Sequence, residues 1–331
     1  MRLITLVCWI FCMCGLARGQ TAVLATDTIL DGRGGVLRNQ RITIDGSRIA
    51  AIAAGQGTAT YDLRGLTVMP GWIDTHVHLN WHYDANHKYV AGRDKPEEAA
   101  LFTAENAWLT LQGGFTSVQS VGAAIDGPVR DRINNGTLPG PRILTSLRQI
   151  NERSGTPEEI RELVRRTKSE GADLIKIFAT TGMGARGSQS MSDEQIQAAC
   201  GEAKALGLRV LVHAIGAAGA KAAILAGCTA IEHGSYVEDA TLDLMAQRGT
   251  YFDPNFLVLH NYLGRAGAFP TPLFRRWRKP WSLPPPSFSR PARIMSGWSS
   301  AATRSLAHTA ATPRSSSIAC AMPAKSRWMR S

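Results

Sequence analysis

From Leu66 to about Pro254 the sequence repeats one unit, in which an apolar strand is followed by a loop and a helix. The predicted strands are Thr67–His78, Thr116–Val121, Arg142–Ser146, Leu174–Ala179, Arg209–His213, Ala230–His233 and Thr250–Asp253. Because helical patterns separate most of them, the strands should run in one direction and form a parallel sheet. Seven such units favour a closed barrel over an open doubly wound sheet, and no phosphate-binding glycine fingerprint follows the first strand.

Two helix starts are marked by capping boxes, Thr156-Pro157-Glu158-Glu159 and Ser192-Asp193-Glu194-Gln195. Each has a capping hydroxyl with Glu or Gln three places on, and Pro157 occupies the favoured first helical position. Glycines that end a helix just before a strand are Gly171, Gly207, Gly227 and Gly249. These signals predict a barrel region over residues 66–274, with strands one to seven in place.

Before the barrel, residues 20–65 alternate short β-rich pieces with turns such as Asp31-Gly32 and Asp45-Gly46. This pattern predicts part of a small β-sandwich or a meander. So few strands bury too little surface to be a complete domain.

Residues 1–19 are typical of a signal peptide: Arg2 is followed by the apolar run Leu3–Leu16 and by Ala17-Arg18-Gly19, a plausible cleavage site. A short buried strand is the alternative. The signal predicts a periplasmic or secreted protein that leaves the membrane after cleavage. The mature chain would keep three cysteines, Cys200, Cys228 and Cys320. Because that number is odd, no disulfide framework is expected.

The net charge of +11 comes from the end of the chain. Asp253 is the last acidic residue, and 12 of the 37 Lys and Arg residues follow it, which leaves the preceding part almost neutral. A nucleic-acid or membrane-surface partner is therefore not expected, since a binding face would place its cations on a patterned fold. Residues 275–331 also hold four of the eight Trp and lack helical or strand periodicity. We interpret them as an aberrant basic tail produced by a reading-frame shift; the alternative is a real disordered tail, which would normally be poor in aromatic residues.

Histidines and one lysine stand at the predicted strand ends. His76 and His78 are two apart in the first strand, so both imidazoles face the barrel interior at its carboxyl-terminal mouth, where enzymes of this fold place their catalytic groups. His213 and His233 end two later strands, and Lys176 lies among apolar residues of a fourth. Each alone has a plain reading as a core residue, but together they predict a metal site. His82 and His87 follow the first strand as candidate substrate-loop residues.

The segment Met69–His78 resembles the opening of the amidohydrolase superfamily, and Lys176, His213 and Glu232–Tyr236 resemble its imidazolonepropionase-related branch. That branch includes Xaa-Pro dipeptidases and N-acyl-amino-acid hydrolases. The resemblance covers about Ala22 to Gly264. It implies a metal-dependent (β/α)₈ TIM barrel that hydrolyses C–N amide bonds of a dipeptide or another small molecule, and an oligomer is possible in the intact family.

By that resemblance, His76 and His78 hold the more buried of two divalent metal ions, and His213 and His233 hold the second. Carbamylated Lys176 bridges the two, and the pair activates a water molecule. Imidazole and oxygen ligands suit Zn²⁺ best. Tyr236 is a candidate hydrogen-bond donor to the substrate; a packing role is the alternative.

The sequence departs from the family after the seventh strand. The family pattern has a metal-binding, proton-accepting Asp at the end of the eighth strand, whereas no Asp or Glu follows Asp253 here. The turn context of Asp253 favours a backbone-capping role over a replacement for that base. We therefore expect this chain to be inactive, and the competing hypothesis is a catalytically dead, metal-binding remnant or an unstable product without function.

Overall fold

The computed structural model describes residues 21–84 and 89–255. They fall into two compact units, with the boundary along the chain between Pro70 and Gly71. In the described residues, the first unit contains β-strands and the second alternates strands and helices, as the sequence predicts. Within the described residues, no helix is long and apolar enough to cross a membrane.

The first unit is a five-stranded sheet. Its strands are β1 Thr21–Leu30, β2 Val36–Asp45, β3 Arg48–Ala54, β4 Tyr61–Asp62 and β5 Thr67–Val68. β1, β2 and β3 form an antiparallel meander, and β4 and β5 both pair with β1 in parallel. The predicted turns at Asp31-Gly32 and Asp45-Gly46 join the long strands. In residues 21–70 these strands form one sheet, so the expected sandwich is seen as a single layer.

The second unit alternates strands and helices. In chain order it contains β6 Trp72–Val77, β7 Trp81–Tyr83, β8 Tyr89–Ala91, α1 Pro96–Gln112, β9 Phe115–Ser120, α2 Asp126–Asn134, β10 Arg142–Thr145, β11 Gln149–Ile150, α3 Pro157–Ser169, β12 Leu174–Phe178, α4 Asp193–Ala205, β13 Arg209–Gly216, α5 Ala217–Leu225, β14 Ala230–Tyr236, α6 Asp239–Arg248 and β15 Tyr251–Asp253. β7 and β8 form a small hairpin.

The remaining strands are parallel and neighbour one another in chain order: β6, β9, β10, then β11 to β15. The third strand of this succession consists of two pieces, β10 and β11, and β11 begins four residues after β10 ends. β10 pairs with β9 and β11 pairs with β12, so together they connect the two neighbouring strands. This is the predicted succession of seven strands. The signal peptide and the aberrant tail, where we expect no eighth strand, lie outside the described residues.

The predicted first strand, Thr67–His78, is wrong as a single element. Pro70 lacks an N–H and interrupts it, so Thr67–Val68 joins the first sheet and Trp72–Val77 joins the second. Gly71 lies so close to Thr116 that a Cβ atom on it would be 2.2 Å from the threonine side chain. His78 therefore follows the strand rather than ending it.

Both capping boxes are confirmed. Thr156 accepts from the backbone N–H of Glu159 and Ser192 from that of Gln195, and the two reciprocal bonds are also present. The four helix-ending glycines all have a positive φ, from 69° to 93°. These local signals set the helix ends that lead back into the parallel sheet.

The main core lies between the outward faces of β12–β15 and helices α3–α6. Alternate strand residues such as Ile175, Val212 and Ile231 pack there against helix residues such as Ile160 and Ile196, all of them almost fully buried. The intervening residues of the same strands therefore face the other way, into the interior of the sheet.

Cys200 and Cys228 form a disulfide, so the expectation of no disulfide is wrong. Cys200 lies on α4 and Cys228 in the turn between α5 and β14, and helix packing brings their Cα atoms to 5.2 Å. An odd number of cysteines excludes pairing of all three but not of two.

Candidate active site at the carboxyl ends of the strands

Two successive layers of side chains line the inward face of the parallel strands. Leu174, Leu211 and Ala230 form a small apolar cluster with Val121, and Tyr251 packs against it. One inward position further along the strands, the side chains are polar. They are Lys176, His213, Glu232 and Asp253. The site therefore rests on an apolar floor, and the strand register brings His213, Glu232 and Asp253 level with one another.

His76 of β6 is held by a carboxylate from β14. Its Nδ1 lies 2.5 Å from Oε2 of Glu232, and both side chains are almost completely buried. The His76 ring centroid is 5.4 Å from that of His78 and 5.1 Å from that of His233, which is in turn 4.7 Å from that of His213. The four predicted histidines thus form one continuous group.

His233 reaches this group through an unusual backbone. Strict alternation would turn Glu232 and His233 to opposite faces of β14. His233, however, has a φ of 71° and Gly234 a φ of 52°, both in the left-handed region. This local break in the strand lets two consecutive side chains serve one site, a form of strain that clusters at functional positions.

Lys176 is fully buried beneath the histidines. Its Nζ has no hydrogen-bond partner among the described residues and lies 5.4 Å from the centroid of the Phe178 ring. Burial lowers the pKa of Lys176, while the nearby carboxylates Glu232 and Asp253 oppose that change. Burial in turn raises the pKa of Glu232. The amine is thus shifted toward its neutral, nucleophilic form.

The histidines are shifted toward neutral imidazole. Burial, and then the charge of Lys176, lowers the pKa of His213 to about 3. Burial also holds the pKa values of His76, His78 and His233 well below the ordinary value, with the neighbouring cationic groups adding to the effect. Neutral imidazole is the form that binds metal ions.

Two carboxylates of the site, Glu232 and Asp253, are not predicted as site residues from the sequence. Glu232 enters there only as part of the segment Glu232–Tyr236, although its alternation with Ala230 places it inward. Asp253 has the capping role predicted for it, since its Oδ1 accepts from the backbone N–H of Asn255 at 3.3 Å. Its Oδ2 also accepts from the hydroxyl of Thr75 at 2.6 Å, which links β15 to β6. Burial, and then the charge of Glu232, raises the pKa of Asp253 to about 7.

The residues fit a divalent cation in their chemistry. Two buried nitrogen atoms, Nζ of Lys176 and Nδ1 of His78, lack hydrogen-bond partners among the described residues, which is costly unless another group satisfies them. As placed, no three His, Cys, Asp or Glu side chains within residues 21–84 and 89–255 enclose a cation by themselves. Holding a cation there would therefore draw on Lys176 or on small rotations of the rings.

The other candidates lie around this centre. Tyr236 is the last residue of β14, is half-buried and pairs in register with Gly216. His82 is buried in the β7–β8 hairpin, where it stacks on Phe102 at 3.5 Å and lies 3.6 Å from Asp94, so packing accounts for it. In the same hairpin Trp81 stacks on His78. His87 lies outside the described residues.

The sequence and the fold are similar to those of a known group of hydrolases. The profile of the amidohydrolase family matches residues 67–268, and the chain belongs to that metal-dependent family. An ochratoxinase of Aspergillus niger is 25% identical over 295 residues, which cover 75% of this chain and 61% of the relative. The chain thus spans about three fifths of the length of that curated relative.

Solved structures agree with the profile. A Xaa-Pro dipeptidase crystallised with methionine in its active site has a TM-score of 0.70 and 28% identity, over 85% of this chain and 80% of its own. A prolidase in complex with N-methylphosphonate-L-proline has a TM-score of 0.67 and 27% identity, over 78% and 72% of the two chains. The ochratoxinase structure, at 24% identity, shares the fold with a TM-score of 0.67. The predicted TIM-barrel class and the resemblance to the dipeptidase-like branch are confirmed.

Proposed function

We propose that this protein is built as a metal-dependent hydrolase of C–N amide bonds in dipeptides or N-acyl amino acids. The observation that carries the proposal is the convergence of four imidazoles, two buried and two half-buried, on a buried lysine without a hydrogen-bond partner in the described structure. The dipeptidase and prolidase likenesses support a substrate of dipeptide size.

His76, His78, His213 and His233 would hold two divalent cations, for which Zn²⁺ suits the donor set best. When bound, such cations supply Lewis-acid polarisation of the scissile carbonyl and a more acidic attacking water. The chain itself supplies rigid neutral imidazoles, an apolar floor that excludes water from below, and a carboxylate that holds the Nδ1 proton of His76.

Lys176 would carry the bridging group. Its neutral amine can attack carbon dioxide, forming an N–C bond and releasing a proton, and the product is an anionic carbamate with two oxygen donors. Full burial and a lowered pKa favour the neutral amine that this reaction requires. Tyr236, at the mouth of the site, would donate a hydrogen bond to the substrate carbonyl or carboxylate.

The chain as it stands would hydrolyse its substrate slowly at best. No acidic residue follows Asp253, so an eighth-strand proton acceptor is absent from the sequence. The two nearby carboxylates are already engaged: Glu232 with His76, and Asp253 with Thr75 and the backbone of Asn255. The competing proposal is a remnant that binds metal without turnover.

Export is part of the proposal. The sequence of residues 1–19 supports a signal peptide, and a disulfide between Cys200 and Cys228 suits an oxidising compartment such as the periplasm.

The test is metal binding by the purified chain in the presence of ¹³C-labelled bicarbonate. We expect about two Zn²⁺ ions per chain, a carbamate carbon signal, and loss of that signal in Lys176→Ala. The matched control is Lys204→Ala, an exposed lysine of α4. Absence of zinc binding, or a carbamate signal that persists in Lys176→Ala, would contradict the proposed site.

A further inference from the structure

His76 has two ring nitrogens, and only one of them is available to a ligand. Its Nδ1 lies 2.5 Å from Oε2 of Glu232, which comes from β14 rather than from its own strand. The two side chains are 5% and 1% exposed, so water does not compete for this contact. Nδ2 of Asn255 approaches the same pair, at 3.4 Å from Nδ1 of His76 and 3.5 Å from Oε2 of Glu232.

An ionised carboxylate only accepts hydrogen bonds, so a contact of this length to ionised Glu232 places the proton on Nδ1 of a neutral His76 ring. The lone pair is then on Nε2. The contrast with His78 is informative, because Nδ1 of His78 has no hydrogen-bond partner in the described part of the chain. The tautomer of His76 is thus fixed by a hydrogen bond to Nδ1, whereas that of His78 is not.

We propose that Glu232 is a positioning residue of the active site, which fixes the tautomer and ring orientation of His76 and leaves Nε2 as the nitrogen that would bind a cation. This inference rests on the proposed metal-dependent function. Glu232 acts through His76, and it need not touch the substrate. Its place follows from the fold, since the register sets Glu232 level with His213 and Asp253 at the depth of the site.

A purely structural role for Glu232 is the competing explanation. A buried carboxylate is costly unless its partners satisfy it, and an apolar residue would continue the floor formed by Leu211 and Ala230. Lys176, the nearest cation, makes no hydrogen bond to Glu232, because its Nζ has no partner in the described structure. The shortest contact of Glu232 is thus the one with His76, and Asn255 adds a longer one.

Two measurements test the proposal. The first is the nitrogen spectrum of ¹⁵N-histidine-labelled, metal-free protein, in which His76 should show the Nδ1–H tautomer in the wild type and a mixture of tautomers in Glu232→Leu. The second is the affinity for Zn²⁺ by competition with a chelating dye. Outer carboxylate partners of metal-binding histidines typically contribute about 10- to 100-fold in affinity. We expect a loss of that size in Glu232→Leu and a smaller one in Glu232→Gln, whose amide oxygen can still accept from Nδ1.

The matched control is Glu202→Gln, a carboxylate of α4 that pairs with Arg165 at the surface. An Nε2–H tautomer of His76 in the wild type would overturn the proposal even if Glu232→Leu fails to fold. Unchanged tautomer and zinc affinity in a folded Glu232→Leu would overturn it as well. A wild type that shows the Nδ1–H tautomer but binds no zinc would refute the proposed function and leave the orienting contact standing.

Discussion

Asp126, at the start of α2, is a carboxyl group buried without a cationic partner in direct contact. It accepts from the hydroxyl of Thr145 and the backbone N–H of Ala123. Burial nevertheless raises its pKa to about 6. Because the folded state holds the proton more tightly than the unfolded chain, this group's contribution to stability is complete below the unfolded pKa of about 3.9 and is lost as pH rises through about 6.

We therefore predict that Asp126→Asn flattens the fall in the free energy of unfolding between about pH 4 and pH 7. A rise of the Asp126 pKa from 3.8 to about 6 corresponds to about 3 kcal/mol at most. The measurement is urea unfolding across that pH range, with Asp131→Asn, on the exposed side of the same helix, as control. Equal slopes for the wild type and Asp126→Asn would contradict the assignment.

At this scale the sequence predicted five members of the site, His76, His78, Lys176, His213 and His233, and the structure brings them together. The strand-end rule suffices because carboxyl ends of parallel strands meet at one mouth. It could not predict how His233 reaches the site, which depends on a left-handed backbone. The contacts of Glu232 and Asp253 could not be predicted either, because their partners are far away in the sequence. Glu232 and His76 are separated by 156 positions, and Asp253 and Thr75 by 178.

Among the elements, β14 depends on one glycine. Gly234 has a φ of 52°, and a Cβ on it would lie 2.4 Å from the Phe252 ring. We predict that Gly234→Ala destabilises the fold and weakens zinc binding, because relief of the clash would displace the neighbouring His233. The control is Gly227→Ala, which has a φ of 77° but open space around the new methyl group. Gly227→Ala should lose only the backbone preference, about 1–2 kcal/mol, and keep its zinc affinity. Equal effects of the two substitutions would contradict this role of Gly234.

The disulfide links α4 to the turn before β14, across 28 residues of sequence. Cross-links of this kind typically stabilise a fold by about 2–4 kcal/mol. We predict a loss of that order in the Cys200→Ala, Cys228→Ala double variant, and no loss in Cys320→Ala. Urea unfolding with and without reductant provides the check. If reduction leaves the wild-type midpoint unchanged, the cross-link is absent in solution.

At the scale of elements, prediction succeeded where the signal is local. Capping boxes, helix-ending glycines and six of the seven strand segments depend on a few neighbouring residues, and they appear where expected. The disulfide and the division at Pro70 were missed for different reasons. The pairing of Cys200 with Cys228 depends on how helices pack, whereas Thr67–Val68 is drawn into the first sheet by pairing with β1.

For the whole molecule, the main question is how β6, the first of the seven parallel strands, is connected to β15, the last. Side chains connect these two strands in the described structure, through the 2.6 Å hydrogen bond from Thr75 to Asp253 and the contacts of Asn255 near His76. These contacts fix side chains at the site from both β6 and the end of β15. They also engage Asp253, the last acidic residue of the sequence, which under the proposed function would leave the attacking water without a free proton acceptor.

The last prediction concerns turnover. The purified chain should show negligible zinc-dependent hydrolysis of a dipeptide and N-acyl-amino-acid library. Loss of a general base alone typically lowers the rate about 10²–10⁴-fold.

Resequencing the gene around the codons for Phe269 to Arg278 would supply the alternative reading frame. A chain made from that frame, with an eighth strand and its Asp, should regain turnover by a factor of that size and aggregate less, because unpaired strand edges promote association. Both chains should be assayed side by side with zinc and with a chelator. Robust, chelator-sensitive turnover by the chain as it stands would mean that the histidines, Lys176 and the two engaged carboxylates suffice, and the account of its inactivity would be wrong.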